Sequence, residues 1–141
     1  MSSQKSRMHF IKKYFLSIIV TIVIFYLSTA SPSALPLPEM PKIEGFDKIV
    51  HMLMYAVLAL VLVLETTRRN NLGYYSLVIL FPILYGGLLE ILQHYFFPPR
   101  TGDWFDFLAN TIGVLIGFAM ATVLLNGAKA RKARRHEIKK H

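Results

Sequence analysis

The sequence predicts an all-α fold, a four-helix transmembrane bundle with both termini cytoplasmic, on three observations. First, 54% of the 141 residues are hydrophobic and only 17% are charged. A domain this small buries only about 60–70% of the surface its unfolded chain exposes. A soluble fold could not hide so much apolar area, so the surplus has to face lipid. Second, the apolar residues fall into four runs separated by short polar breaks. Third, Lys and Arg collect on alternate breaks, the pattern of cytoplasmic loops.

The first run, Tyr14 to Ala30, carries no charge across seventeen residues, near the lower limit for a hydrocarbon core of about 30 Å. Its basic start and the Ser28-Thr29-Ala30 sequence before Ser31 also fit a cleavable leader. Residue 31 lands outside the cytoplasm on either reading. Pro32, Pro36, Pro38 and Pro41 then rule out a helix and read as an extended loop. The second run, Phe46 to Leu64, has its only polar residues, Asp47, Lys48 and His51, at its beginning. Glu65 to Gly73 is a polar turn containing Arg68 and Arg69. The third run, Tyr74 to Phe97, contains Pro82, which is placed to kink it, and is ended by Pro98 and Pro99. The fourth is Trp104 to Leu125. The chain therefore divides into a basic N-terminus (1–13), a transmembrane domain (14–125) and a basic tail (126–141).

The net charge of +8 suggests nucleic acid until its distribution is examined. With the N-terminus inside, thirteen of the sixteen Lys and Arg lie on the cytoplasmic side. Only Lys42, Lys48 and Arg100 lie outside, so the split sets the orientation. No module that reads bases accompanies the charge, and nucleic acid is not an expected partner. The tail reads as an anchor to anionic inner-leaflet lipids. Cysteine is absent, which excludes disulfides and thiolate metal sites.

This orientation gathers the ionisable residues at the outer end. Asp47, Lys48 and His51 open the second run, Glu90, Gln93 and His94 close the third, and Asp103, Asp106 and Asn110 open the fourth. Glu90 lies seven residues before Phe97, a depth of roughly 10 Å at 1.5 Å per residue, and Asn110 is equally far beyond Asp103. Spacings of three and four residues put Lys48/His51/Tyr55, Glu90/Gln93 and Asp106/Asn110 on single helix faces. A charge at that depth facing lipid costs about 2.5–3.5 kcal/mol even on the gentlest scale. The three stripes are therefore expected to face one another around a cavity open to the outer leaflet.

In that cavity Glu90, His51 and Asp106 are the candidate proton-transfer groups. Lys48 and Arg100 are the candidate contacts for a phosphate or carboxylate, with Tyr55, Gln93 and Asn110 as further ligand contacts. Asp103 suits the N-cap of the fourth helix and Asp106 the acidic position of its capping box; neither accounts for Asn110, a turn deeper. A metal held by His51, Glu90 and Asp106, with His94 or Asp103 added, lacks a local ligand motif and is not expected; nor is a cofactor. Gly113 and Gly117 form a G-x-x-x-G pair for close packing, within the bundle or between copies in a homo-oligomer.

These residues resemble the signature of the VanZ-like family of small bacterial membrane proteins. The matching elements are Lys48-x-x-His51-x-x-x-Tyr55, Glu90-x-x-Gln93, and Arg100 followed by Asp106-x-x-x-Asn110-x-x-Gly113-x-x-x-Gly117. They span roughly residues 46 to 118. The resemblance implies a multi-pass protein of the bacterial cytoplasmic membrane. It also implies a link to low-level resistance to the glycopeptide teicoplanin without remodelling of the peptidoglycan precursor.

The leading expectation is a protein that binds or acts on an amphiphilic envelope molecule from the outer leaflet. The candidates are a lipid-linked cell-wall precursor, a phospholipid or a lipoglycopeptide. One alternative is a membrane hydrolase or transferase using Glu90, His51 and Asp106, for which only Thr101 and Tyr55 lie near as side-chain nucleophiles. The other is a small proton-coupled transporter or accessory subunit, against which stands the lack of an inverted repeat.

Overall fold

The computed structural model describes residues 10–30, 45–66, 71–97 and 102–139. Four helices account for nearly all of them: α1 (Phe15–Thr29), α2 (Phe46–Glu65), α3 (Leu72–Phe96) and α4 (Trp104–Ile138). The described residues contain no strand. α2, α3 and α4 are each long and apolar enough to cross a membrane, and only about a third of an apolar 18-residue stretch of each is buried inside the protein (33%, 28% and 33%). Their other faces carry exposed Leu, Ile, Val and Phe side chains, as expected of helices solvated by lipid. α1 is apolar but shorter, at 15 residues.

Contacts define an up-and-down bundle. The start of α1 meets the end of α2 through Ser17 and Glu65, and the end of α1 meets the end of α3 through Ser28 and Gln93. His51, Glu90 and Asn110 bring the start of α2, the end of α3 and the start of α4 together. α2 and α4 therefore run parallel, and they form the most intimate pair. A Cβ on Gly113 would collide with the backbone carbonyl of Met52, and one on Gly117 with that of Ala56. Lipid removes most of the hydrophobic drive for helix association, so close backbone approach of this kind does much of the holding. Of the two uses expected for these glycines, the structure shows packing within the bundle, against α2.

Pro82 leaves a local mark. It lacks an N–H and its ring crowds the carbonyl four residues back. The turn just before it, Ser76–Leu80, is a π-helix, in which the Phe81 N–H donates to Ser76 O. The wider turn offsets the drift that a four-residue step builds up on a 3.6-residue helix. Tyr74, Val78, Pro82, Gly86 and Glu90 consequently all stay buried.

α1 docks through polar contacts that the sequence conceals. Tyr14 interrupts the helix and offers no cap of its own. Glu65 of α2 caps it from a distance, accepting from Leu16 N (2.9 Å), Ser17 N (3.2 Å) and Ser17 Oγ (2.5 Å). The Tyr85 hydroxyl donates to Thr21 O (2.9 Å) and Gln93 Nε2 to Ser28 O (2.6 Å). Gln93 is thereby turned from the expected ligand cavity to α1. Three residues along a helix is a rotation of about 60° short of a full turn, enough to send it to a different neighbour from Glu90.

α4 is 35 residues long, or about 52 Å at 1.5 Å per residue, well beyond a hydrocarbon core. Its last buried residue is Ala121, and everything after Leu125 is exposed. The basic segment expected to begin at 126 continues α4 as helix to Ile138.

Candidate functional site

At the end of the bundle where α2 begins, α3 ends and α4 begins, the expected polar layer forms. His51, Glu90, Asp106 and Asn110 are all buried, at 7%, 8%, 7% and 1% exposure. Asn110 is the bridge. Its Oδ1 lies 3.2 Å from His51 Nδ1, and its Nδ2 donates to Glu90 Oε1 at 3.2 Å. An ionised carboxylate only accepts, so the amide must present its nitrogen to Glu90 and its oxygen to His51. His51 Nδ1 then carries a proton, and in the neutral ring Nε2 keeps its lone pair. His51 Nδ1 also lies 3.7 Å from Glu90 Oε1.

Glu90 has a second task. Its Oε2 accepts the backbone N–H of Asp103 at 3.2 Å, while Asp103 caps α4 through Phe105 N at 3.0 Å. The N-cap expected of Asp103 forms. The reciprocal bond of a capping box would come from Asp106 to the Asp103 N–H; Glu90 makes it instead. Gly102 permits this approach, since a Cβ there would strike the Glu90 carbonyl. The sequence offered no signal for this role beyond a glycine in a short loop.

Asp106 is released to meet Lys48. The Lys48 ammonium lies 3.1 Å from Asp47, 3.2 Å from Asp103 and 3.3 Å from Asp106. An ammonium has three donors, and three carboxylates surround this one. Lys48, expected as an anion contact, is thus a partly exposed counter-ion to three carboxylates of its own chain. Asp103 lies just before α4, and its bond to Phe105 N, reinforced by Lys48, holds its carboxyl below the usual carboxylate range. Arg100, the other expected anion contact, lies outside the described residues, as does Thr101.

Tyr55 sits one turn beneath His51, fully buried at 0%. Gly86 lies against both the Tyr55 ring and the Asn110 amide. The Tyr55 hydroxyl has no hydrogen-bond partner among the described residues. His51, Glu90 and Asp106 each offer a donor atom within 4.8 Å of the others, close enough to gather round a cation. Asn110 and the Asp103 N–H already bond to His51 and Glu90, whereas Asp106 Oδ1 pairs with Lys48 by charge and accepts no hydrogen bond among the described residues. His94 is exposed and meets Tyr95 edge-on.

Beside the network a groove of about 420 Å³ runs between α3 and α4. Gly87, Ile91, Trp104 and Phe107 form its apolar walls, and Glu90, His94 and Asp103 its polar end. Trp104 and Tyr95 are 83% and 71% exposed at its rim, suited to the aromatic belt of a membrane interface.

A helical bundle with lipid-compatible faces and a buried His–Asn–Glu network at one end defines a small all-α membrane protein. A family model described as VanZ/LLP1 matches residues 2–125. That is most of the chain, and the protein belongs to the VanZ/LLP1 family. No curated protein and no solved structure gave a match.

Proposed function

We propose that this VanZ-family membrane protein binds an amphiphilic envelope molecule, with the polar part at the His51–Asn110–Glu90 network and the chain in the groove between α3 and α4. Lipid-linked cell-wall precursors, phospholipids and lipoglycopeptides such as teicoplanin all have this two-part form. The groove carries the reading: it joins an apolar channel to the buried polar network at a single residue, Glu90. In the orientation favoured by the basic residues, this end faces outward from the bacterial cytoplasmic membrane. Ligand would then enter sideways from the outer leaflet, and glycopeptide resistance would follow from interception there.

The test is expression of wild-type protein, Glu90→Gln and His51→Ala in a teicoplanin-susceptible bacterium, with membrane levels matched. The expected result is protection by wild type and its loss in both variants. Full protection by variants that express and fold normally would overturn the proposal.

A second reading, a lipid hydrolase or transferase, is favoured by one observation. His51, Glu90 and Asp106 converge within 4.8 Å, and a His51 ring with a free Nε2 suits general-base work. Turnover of labelled lipid by purified protein separates catalysis from binding.

A further inference from the structure

We propose that the head group received at this groove carries a protonated amine, so that the ligand is an alkylammonium-type amphiphile rather than a purely anionic one. The inference rests on the amphiphile-binding reading above and adds the charge of the head. A chain lying in a groove that opens to lipid leaves one apolar medium for another and gains little from the transfer. Selection among amphiphiles therefore falls to the head.

At the polar end of the groove, the features that would hold an anion are already taken. The N-terminus of a helix is a ready anion seat because its N–H groups are free and its dipole is positive. At α4 the chain's own carboxylates fill it, Glu90 on the Asp103 N–H and Asp103 on the Phe105 N–H. Lys48 is surrounded by Asp47, Asp103 and Asp106. An incoming phosphate would have to displace a carboxylate from one of these positions and remain beside the others.

The wider charge balance points the same way. Among the described residues at this end of the bundle, Asp47, Glu90, Asp103 and Asp106 stand against Lys48. Four acids against one base leave an excess of three negative charges among the described residues. Among the described residues, His94 and Tyr95 of α3 also line the groove, and His51 of α2 lies behind Glu90. Each carboxylate oxygen of Glu90 and Asp103 has room for a second donor, so an ammonium at the end of the groove meets two acceptors without dismantling the network.

Trp104, the only tryptophan in the chain, lines the groove and makes the test direct. Full-length protein in phosphatidylcholine nanodiscs is titrated with three brominated twelve-carbon probes, an alkylammonium, an alkyl phosphate and an alcohol. Quenching of Trp104 fluorescence is followed, with competition by the unbrominated probe to define saturable binding. The expected result is saturable quenching with a Kd at least ten-fold lower for the ammonium than for the phosphate. Glu90→Gln and Asp103→Asn should shrink that ratio, and Gly87→Leu should abolish saturable quenching by all three. Equal affinities for the three heads, or a preference for phosphate, would overturn the amine inference while leaving amphiphile binding intact. No saturable quenching by any probe would overturn the binding reading as well. The head comparison is made on wild-type protein, so it stands even if a variant fails to fold.

Discussion

Asn110 holds the site together, because among the described residues it alone touches both His51 and Glu90 by side-chain hydrogen bonds. Removing a buried partner leaves the remaining group with its desolvation cost, about 1–3 kcal/mol. Asn110→Ala is therefore expected to lower stability by that amount, read from thermal unfolding of purified protein in mild detergent. Asn110→Asp should cost more, since it sets a second carboxylate against Glu90. A fully stable Asn110→Ala protein would show that the network is not buried as described. Glu90 takes part in two features of the structure. It ties the start of α4 to α3 and also forms the polar end of the groove.

At the scale of helices, two devices replace the hydrophobic drive that lipid removes. One is the capping of α1 by Glu65. Loss of a cap costs about 0.5–2 kcal/mol, and Glu65→Ala should cost about 1 kcal/mol on that scale. Amide exchange at Leu16 and Ser17 should rise in the variant; unchanged protection there would disprove the cap. The other is the seating of Gly113 and Gly117 against α2. A methyl group at position 117 forces two backbones apart, and overpacking of this sort costs typically about 1–3 kcal/mol. Gly117→Ala is expected to lower the unfolding temperature while leaving expression detectable. Because the neighbour is a backbone carbonyl rather than a side-chain tip, relaxation is limited. A variant of wild-type stability would mean that α2 and α4 pack less closely than this.

At the scale of the whole molecule, charge sets orientation. The proposed topology, with both termini in the cytoplasm, rests on assigning thirteen basic residues to one side and three to the other. The absence of cysteine makes this simple to check. Ser33→Cys should react with a membrane-impermeant maleimide on intact cells, and Ala130→Cys only after permeabilisation; the reverse pattern would invert the bundle and move the groove to the inner leaflet. The helical continuation of α4 also affects the tail. Lys129, Arg131, Lys132, Arg134 and Arg135 occupy successive positions around an exposed helix, so only some of them can face a lipid surface at once.

The sequence by itself determined the class of fold, the number of helices and the level at which polar groups lie. All three follow from counting along one dimension: run length against membrane thickness, rise per residue and the sign of charge between runs. The predicted second run, Phe46 to Leu64, and the observed Phe46–Glu65 differ by one residue for that reason. The turn of each side chain about its helix axis was decided only by tertiary structure. Gln93 faces α1 and Glu90 faces α4; Lys48 is neutralised by three aspartates; Gly113 and Gly117 are used within the chain. Each depends on which neighbour stands at a given angle, and local spacing carries no information about the identity of that neighbour. Remote capping of α1 by Glu65 is the plainest case, because its backbone partners Ser17 and Leu16 lie 48 and 49 residues away from it and only the folded bundle brings them together.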